Sequence, residues 1–179
     1  RFINGGGTEQ LTLLNGGNVG IGTTSPTSLL NISSEDATAY NASIDDGQAE
    51  EGSTLTIRNG STTTNSFSQL NMQVSGASGR GVARIAAIRM GSATSDMAFV
   101  TEHSNTKSEK MRISSGGYVT KPNQPAFKAG RNGSISTAAG ASILFNHVSG
   151  NHFNIGGHYN TSNGRFTAPV AGTYVFSVI

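Results

Sequence analysis

Four carboxylates crowd one short stretch of this 179-residue chain, Asp45-Asp46-Gly47-Gln48-Ala49-Glu50-Glu51. Hard oxygen donors at that density suit calcium, so Asp45, Asp46, Glu50 and Glu51 are candidate ligands of a structural Ca²⁺. Their spacing does not follow an EF-hand loop, and a solvated loop between strands explains the same residues. Glycan hydrolysis needs two carboxylates at a fixed separation across a cleft. Asp45 or Asp46 with Glu102 would supply such a pair, as would many other pairs. The second cluster is imidazole: His147, His152 and His158 lie within twelve residues. In a threefold assembly a histidine from each copy would meet at the axis, where imidazoles bind a transition metal. The competing reading puts them at the surface or an interface, because the spacing is not a ligand repeat such as His-x-His.

The rest of the reactive inventory excludes more than it suggests. With no cysteine there is no disulfide framework and no thiolate metal site. The glycines from Gly17 to Gly22 superficially resemble a dinucleotide loop, but no G-x-G-x-x-G register fits and no helix follows. Arg58, Arg80, Arg84, Arg89 and Arg112 are spread without aromatic interleaving and the net charge is only +2, so nucleic acid is not an expected partner. Tyr118, Phe153 and Tyr159 fall in expected loops and could stack on sugars at a tip. No Ser-His-Asp set can be singled out. The expectation is a protein without catalytic residues, and without a cofactor beyond the possible calcium.

What would position these residues is a set of short strands. Gly, Ser, Thr and Asn make up about 46% of the chain, and Leu, Ile, Val and Phe about 21%, close to the roughly 20% below which disorder is the default. High net charge, the other half of the disorder signature, is missing. No apolar run approaches the roughly 18 residues of a spanning helix, so membrane insertion is not expected. Asn-Gly pairs at Asn4, Asn15, Asn59, Asn132 and Asn163 mark tight turns. Between them runs period-two alternation. Leu11 and Leu13, Leu30 and Ile32, and Leu55 and Ile57 are short examples. In the cleanest run Leu70, Met72 and Val74 face one way and Gln69, Asn71 and Gln73 the other. Gly81 to Met90, Met97 to Thr101 and Lys110 to Ile113 complete the set, and no 3.6-residue period persists for three turns. The fold class is all-β.

One unit recurs. Glu9 to Val19 aligns with Glu109 to Val119, each with two alternating apolar residues, a Gly-Gly turn, one further residue and Val. That pattern is a β-hairpin used twice. Strands this short bury two or three modest side chains each, at roughly 1.5–3 kcal/mol apiece. Ordering costs roughly 1–2 kcal/mol per residue. A monomer would be marginal, whereas stacking identical strands from several chains makes the thin apolar face continuous. An intertwined homo-oligomer is therefore expected from composition alone.

Two stretches resemble known families. Gly17-Asn18-Val19-Gly20-Ile21-Gly22-Thr23-Thr24-Ser25-Pro26, followed by Leu29-Leu30-Asn31-Ile32, resembles the GNVGIGTTSP signature of bacteriophage tail fibres and related virion appendages. Glu109-Lys110-Met111-Arg112-Ile113 and Ser95-Asp96-Met97-Ala98-Phe99-Val100-Thr101 resemble strands that accompany it. The second copy of the hairpin lacks the Gly-Ile-Gly-Thr continuation. Further on, Pro125-Ala126-Phe127-Lys128-Ala129-Gly130-Arg131 resembles the first strand of the complement-one-q/tumour-necrosis-factor-like jelly roll. Asn163-Gly164-Arg165-Phe166-Thr167-Ala168-Pro169-Val170-Ala171-Gly172-Thr173-Tyr174-Val175-Phe176 is similar to that family's G-x-F-x-x-P-x-x-G-x-Y-x-F core. Phe127, Phe145, Phe166, Tyr174 and Phe176 would then be core residues.

These resemblances imply a β-hairpin unit at 1–35, a β-rich shaft or knob at 36–121 and the N-terminal half of a jelly-roll head at 122–179, in a homotrimer. The family domains run to about ten strands, so the head is expected to be incomplete at Ile179. The implied role is structural: part of a phage tail fibre or similar extracellular virion appendage presenting a host-attachment tip. Partners would be other appendage proteins and a host glycan or protein receptor. The alternatives are a secreted bacterial surface or matrix fibre with a complement-like head and, third, a glycan depolymerase on the same scaffold.

Overall fold

The computed structural model describes residues 2–3, 9–43, 48, 52–75, 81–134 and 138–178. They are all-β: among them there is no helix, and so none long and apolar enough to cross a membrane. The chain forms two compact units, Arg1–Arg58 and Asn59–Ile179.

The first unit holds a four-stranded sheet of β1 (Phe2–Ile3), β2 (Glu9–Leu13), β3 (Val19–Ile21) and β4 (Leu30–Ile32). β2 and β3 pair antiparallel, Leu11 opposite Ile21 and Leu13 opposite Val19, while β3 and β4 run parallel. The turn between β2 and β3 is closed by Gly17 N–H to Leu14 C=O at 2.9 Å and Leu14 N–H to Asn18 C=O at 3.0 Å. Its positive φ, 86°, is carried by Gly17 and by neither Asn15 nor Gly16. The Asn-Gly pair thus fills the ordinary part of the turn, and the second glycine supplies the left-handed residue that a side chain resists. Gly22 is required on different grounds: its φ is 72°, and an added Cβ would lie 2.1 Å from the Ser33 carbonyl oxygen.

Leu55 and Ile57 do not form the expected strand. Both are exposed, at 62% and 46%, in irregular chain. Alternation without a neighbouring strand leaves backbone groups unpaired, and a three-residue apolar pattern cannot offset that.

The second unit opens with a five-stranded antiparallel sheet in sequence order: β5 (Phe67–Val74), β6 (Gly81–Gly91), β7 (Thr94–His103), β8 (Thr106–Ile113) and β9 (Val119–Thr120). The register sets residues into cross-strand rows. One face carries the row Leu70, Ile85, Phe99, Met111 and the row Ser68, Ala87, Met97, Ile113, with Val119 opposite Ile113. The other face carries Gln69, Asn71, Arg84, Ala86, Asp96, Ala98 and Arg112. Ala98 is 1% exposed and Ala86 7%, because small residues there sit between long polar neighbours. β7 and β8 meet through the two-residue turn Ser104-Asn105, with φ of 47° and 63°. Two positive φ values in a two-residue hairpin loop suit the right-handed strand twist. No Asn-Gly pair announced this turn. β8 and β9 repeat the first hairpin: Gly117 N–H to Ser114 C=O at 2.8 Å, Ser114 N–H to Tyr118 C=O at 2.9 Å, and Gly117 at φ 80°. The echo read from the sequence is a shared turn geometry.

The remainder has much shorter pairing. β10 (Ala126–Lys128) pairs with β11 (Phe153–Ile155), and β12 (Tyr159–Asn160) with β13 (Arg165–Phe166). An isolated bridge joins Gly130 and His147. Residues Thr173 to Val178, which include Tyr174 and Phe176 of the family-like core pattern, have no ladder partner among the described residues and are irregular.

Candidate functional site

Side chains of the C-terminal segment converge on one ring. Tyr159 is 6% exposed. It stacks on Phe127 with centroids 4.5 Å apart, and Phe127 in turn stacks on Phe166 at 5.4 Å. Phe166 meets Tyr174 at 5.1 Å and Phe176 at 5.5 Å. The register that places Tyr159 opposite Phe166 brings two of these rings together directly. The Tyr159 hydroxyl donates to the Phe145 carbonyl at 2.6 Å, so its polar end is satisfied while its ring is buried. Asn154 holds the hairpin from the other side, accepting from Tyr159 N–H at 3.0 Å and donating to its carbonyl at 2.7 Å. Burial pushes the Tyr159 phenol above its ordinary pKa.

Phe127, Phe145, Phe166, Tyr174 and Phe176 all line a concavity of about 800 Å³ beside Tyr159. The five residues read as a core do cluster. Tyr159 was missed: it is a core ring and not a sugar-stacking loop residue, whereas Tyr118 is 76% exposed and Phe153 44%. Val175 and Phe176 remain 91% and 59% exposed, as apolar residues do where no strand covers them. The concavity is lined mainly by rings and small apolar side chains, with Lys128 among its few polar residues.

The only dense charge network among the described ion pairs lies on the polar face of the five-stranded sheet. Arg112 donates to Asp96 at 3.0 Å, and by two parallel bonds to Glu109 at 2.8 and 2.6 Å. Asp96 also accepts the Ser115 N–H at 2.8 Å, tying the repeated turn to β7. In a regular strand, residues three apart point to opposite faces. Here β8 bulges between the pairs Phe99–Met111 and Val100–Glu109, so Lys110 is the extra residue and Glu109 returns to the face of Arg112. The Arg112 hydrogen bonds hold both carboxyls below their usual pKa, with the Ser115 N–H adding to the effect on Asp96. The two carboxylates raise the guanidinium further above its already high value. Sequence spacing alone could not assemble this group; the bulge does.

The residues first considered for chemistry fare as follows. Asp45, Asp46, Glu50 and Glu51 lie outside the described residues. Glu102 is bound to Lys107 at 2.8 Å across the β7–β8 hairpin. The rings of His147 and His152 meet edge-on at 5.1 Å, with Ser149 hydrogen-bonded to each. His158 instead turns to Phe166. Within one copy the structure therefore joins two of the three histidines, and among the described residues no group of three His, Asp or Glu is placed to hold a metal ion.

Comparison with known proteins is consistent with the aromatic cluster. No curated protein matches the chain. The family model of the C1q domain matches residues 126–179, the segment that contains every ring of the cluster around Tyr159. The C-terminal part of this all-β chain is thus similar to a C1q domain, a domain found in trimeric structural and secreted proteins.

Proposed function

We propose that the chain is a non-enzymatic structural segment of a phage tail fibre or similar extracellular virion appendage, acting as a homotrimer that presents a host-attachment tip. In this reading residues 1–35 and 36–121 are shaft or knob units and 122–179 belong to the head. The observation that carries it is the hairpin repeated with one turn geometry at β2–β3 and β8–β9, ahead of the stretch that matches the C1q domain. Repetition of a unit that cannot bury its own apolar face is the physical signature of a stacked assembly. Three copies would give a tip avidity beyond the affinity of one site. Partners would be neighbouring appendage proteins and a host glycan or protein receptor, and any bound ion a calcium at Asp45, Asp46, Glu50 and Glu51.

The C1q match by itself equally favours a second reading, a secreted bacterial surface or matrix fibre. Antibody labelling and mass spectrometry of purified virions separate the two. Regular particles of three chains on the virion support the first reading. Protein recovered only from the surface or medium of uninfected cells overturns it in favour of the second. Sugar release from a host polysaccharide, abolished by Asp45→Asn with Asp46→Asn, would overturn the non-enzymatic assignment.

A further inference from the structure

The tetrapeptide Arg-Asn-Gly-Ser occurs twice, as Arg58-Asn59-Gly60-Ser61 and as Arg131-Asn132-Gly133-Ser134. Asn-Gly is the dipeptide most prone to spontaneous deamidation, because glycine has no side chain to shield its nitrogen or restrict its backbone. The glycine nitrogen attacks the asparagine Cγ. An N–Cγ bond forms, the Cγ–Nδ2 bond breaks, and the side-chain nitrogen leaves as ammonia with the proton of the glycine N–H. Water then opens the cyclic imide at either carbonyl, leaving an aspartyl or an isoaspartyl residue. Two identical tetrapeptides share the same intrinsic chemistry, so a difference between them in the folded chain comes from structure.

The two copies are held differently. Asn59 donates from Nδ2 to the Phe67 carbonyl at 2.9 Å, and its Oδ1 accepts the Ser61 N–H at 3.0 Å. Both ends of that amide are occupied, and both bonds must break before Cγ can swing toward Gly60. At Asn132 the backbone N–H donates to Asn146 Oδ1 at 3.1 Å, which anchors the residue without engaging the reacting groups. Among the described residues neither the Asn132 side chain nor the Gly133 N–H has a hydrogen-bond partner, and both residues are exposed. The other described pairs are restrained. Asn15-Gly16 lies inside the two hydrogen bonds that close the β2–β3 turn. At Asn163 the Oδ1 accepts the Arg165 N–H at 3.0 Å, and the Gly164 N–H donates to the Asn160 carbonyl at 2.8 Å. Electrophile and nucleophile are each engaged there. Asn4 lies outside the described residues.

We propose that Asn132-Gly133 is a spontaneous deamidation site, and the first of the described Asn-Gly pairs to convert. The inference is independent of the appendage reading. Its consequence is electrostatic. After Glu109 the sequence contains no Asp or Glu through Ile179, whereas Lys128, Arg131 and Arg165 lie in the stretch that matches the C1q domain. Conversion gives that stretch its first acidic residue, next to Arg131, whose Nη1 donates to the Leu144 carbonyl at 3.2 Å. Age is thereby recorded as a change of charge on the C-terminal segment.

The test ages the full chain at physiological temperature and mildly alkaline pH, and follows each Asn-Gly peptide by mass spectrometry. Isoaspartate is counted with an isoaspartyl methyltransferase. Asn132 should convert roughly tenfold faster than Asn59, whose two amide hydrogen bonds must open first. In concentrated urea the two tetrapeptides should convert at the same rate. Equal rates in the folded chain, or a lead by Asn15, Asn59 or Asn163, overturn the proposal. A lead for Asn132 that persists in urea also overturns it, since the fold would not be its cause. Asn132→Gln removes no described side-chain contact, and its longer side chain closes the ring far more slowly. It should lower early isoaspartate, and an undiminished signal overturns the assignment.

Discussion

The β5–β9 sheet and the segment from Ala126 onward solve the same compositional problem in opposite ways. The sheet uses strands of up to eleven residues in continuous ladders, and its buried apolar residues among those described are Val82, Ala86 and Ala98, none of them a large side chain. The C-terminal segment has strands of two or three residues but gathers five large rings, with Phe166 and Phe127 at the centre. Backbone pairing organises the first, ring packing the second. The lesson is that a chain poor in Leu, Ile and Val can fold by ladder length or by aromatic concentration. Each strategy leaves a different surface uncovered.

That contrast is most easily broken at Tyr159. Tyr159→Ala should destabilise the C-terminal segment by about 3–5 kcal/mol, the usual range for removing a buried aromatic ring. Tyr159→Phe should cost about 1 kcal/mol for the hydroxyl bond to Phe145. Hydrogen exchange read peptide by peptide should show faster exchange at 126–178 and unchanged protection in β6 and β7. Equal loss in both regions would mean that the two do not fold by separate means.

A smaller effect tests the repeated hairpin. Gly17→Ala and Gly117→Ala each force a side chain into the left-handed region, at about 1–2 kcal/mol. The two costs should agree within a few tenths of a kcal/mol, because both added Cβ atoms meet open space. Denaturant titration of each variant checks this. A costly Gly117→Ala beside a neutral Gly17→Ala would show that the turns are alike in shape only.

The smallest expected effect is on acid stability, because Arg112 and Glu109 stay partly open to solvent, which screens the pair. Asp96 and Glu109 have lowered pKa values in the folded chain. Their contribution is present above the ordinary carboxylate range, roughly pH 4, and is lost as pH falls through the folded values below it. Arg112→Met should flatten that part of the stability–pH profile without altering protection at 126–178. A profile unchanged below pH 4 would remove the network from the account of the sheet.

Much of the fold was legible because it is local. Alternation from Ser68 to Val74 became β5 with the expected sidedness, and the echo of Glu9 to Val19 in Glu109 to Val119 became one turn used twice. Leu55 and Ile57 show the limit. A strand needs a partner, and period-two spacing says nothing about whether one is there. The Ser104-Asn105 turn lacked the glycine that usually marks it. Tyr159 was legible as an aromatic residue near a turn, but its burial follows from the stack on Phe127 and the bond to Phe145, both distant in sequence.

The sequence by itself determined the class, all-β, and the absence of thiol chemistry, since both follow from residue types and short-range spacing. Within each regular stretch it also determined which side chains share a sheet face, because an unbulged strand alternates. Only the tertiary structure decided that Lys110 is a bulge, which turns Glu109 toward Arg112 and makes a network from residues that alternation would separate. It alone brought His147 to His152 and sent His158 to Phe166. Among the described residues it also leaves Leu70, Met72 and Met97 partly exposed. Register, bulges and coverage depend on which strands meet, and that choice is made between segments far apart in the chain.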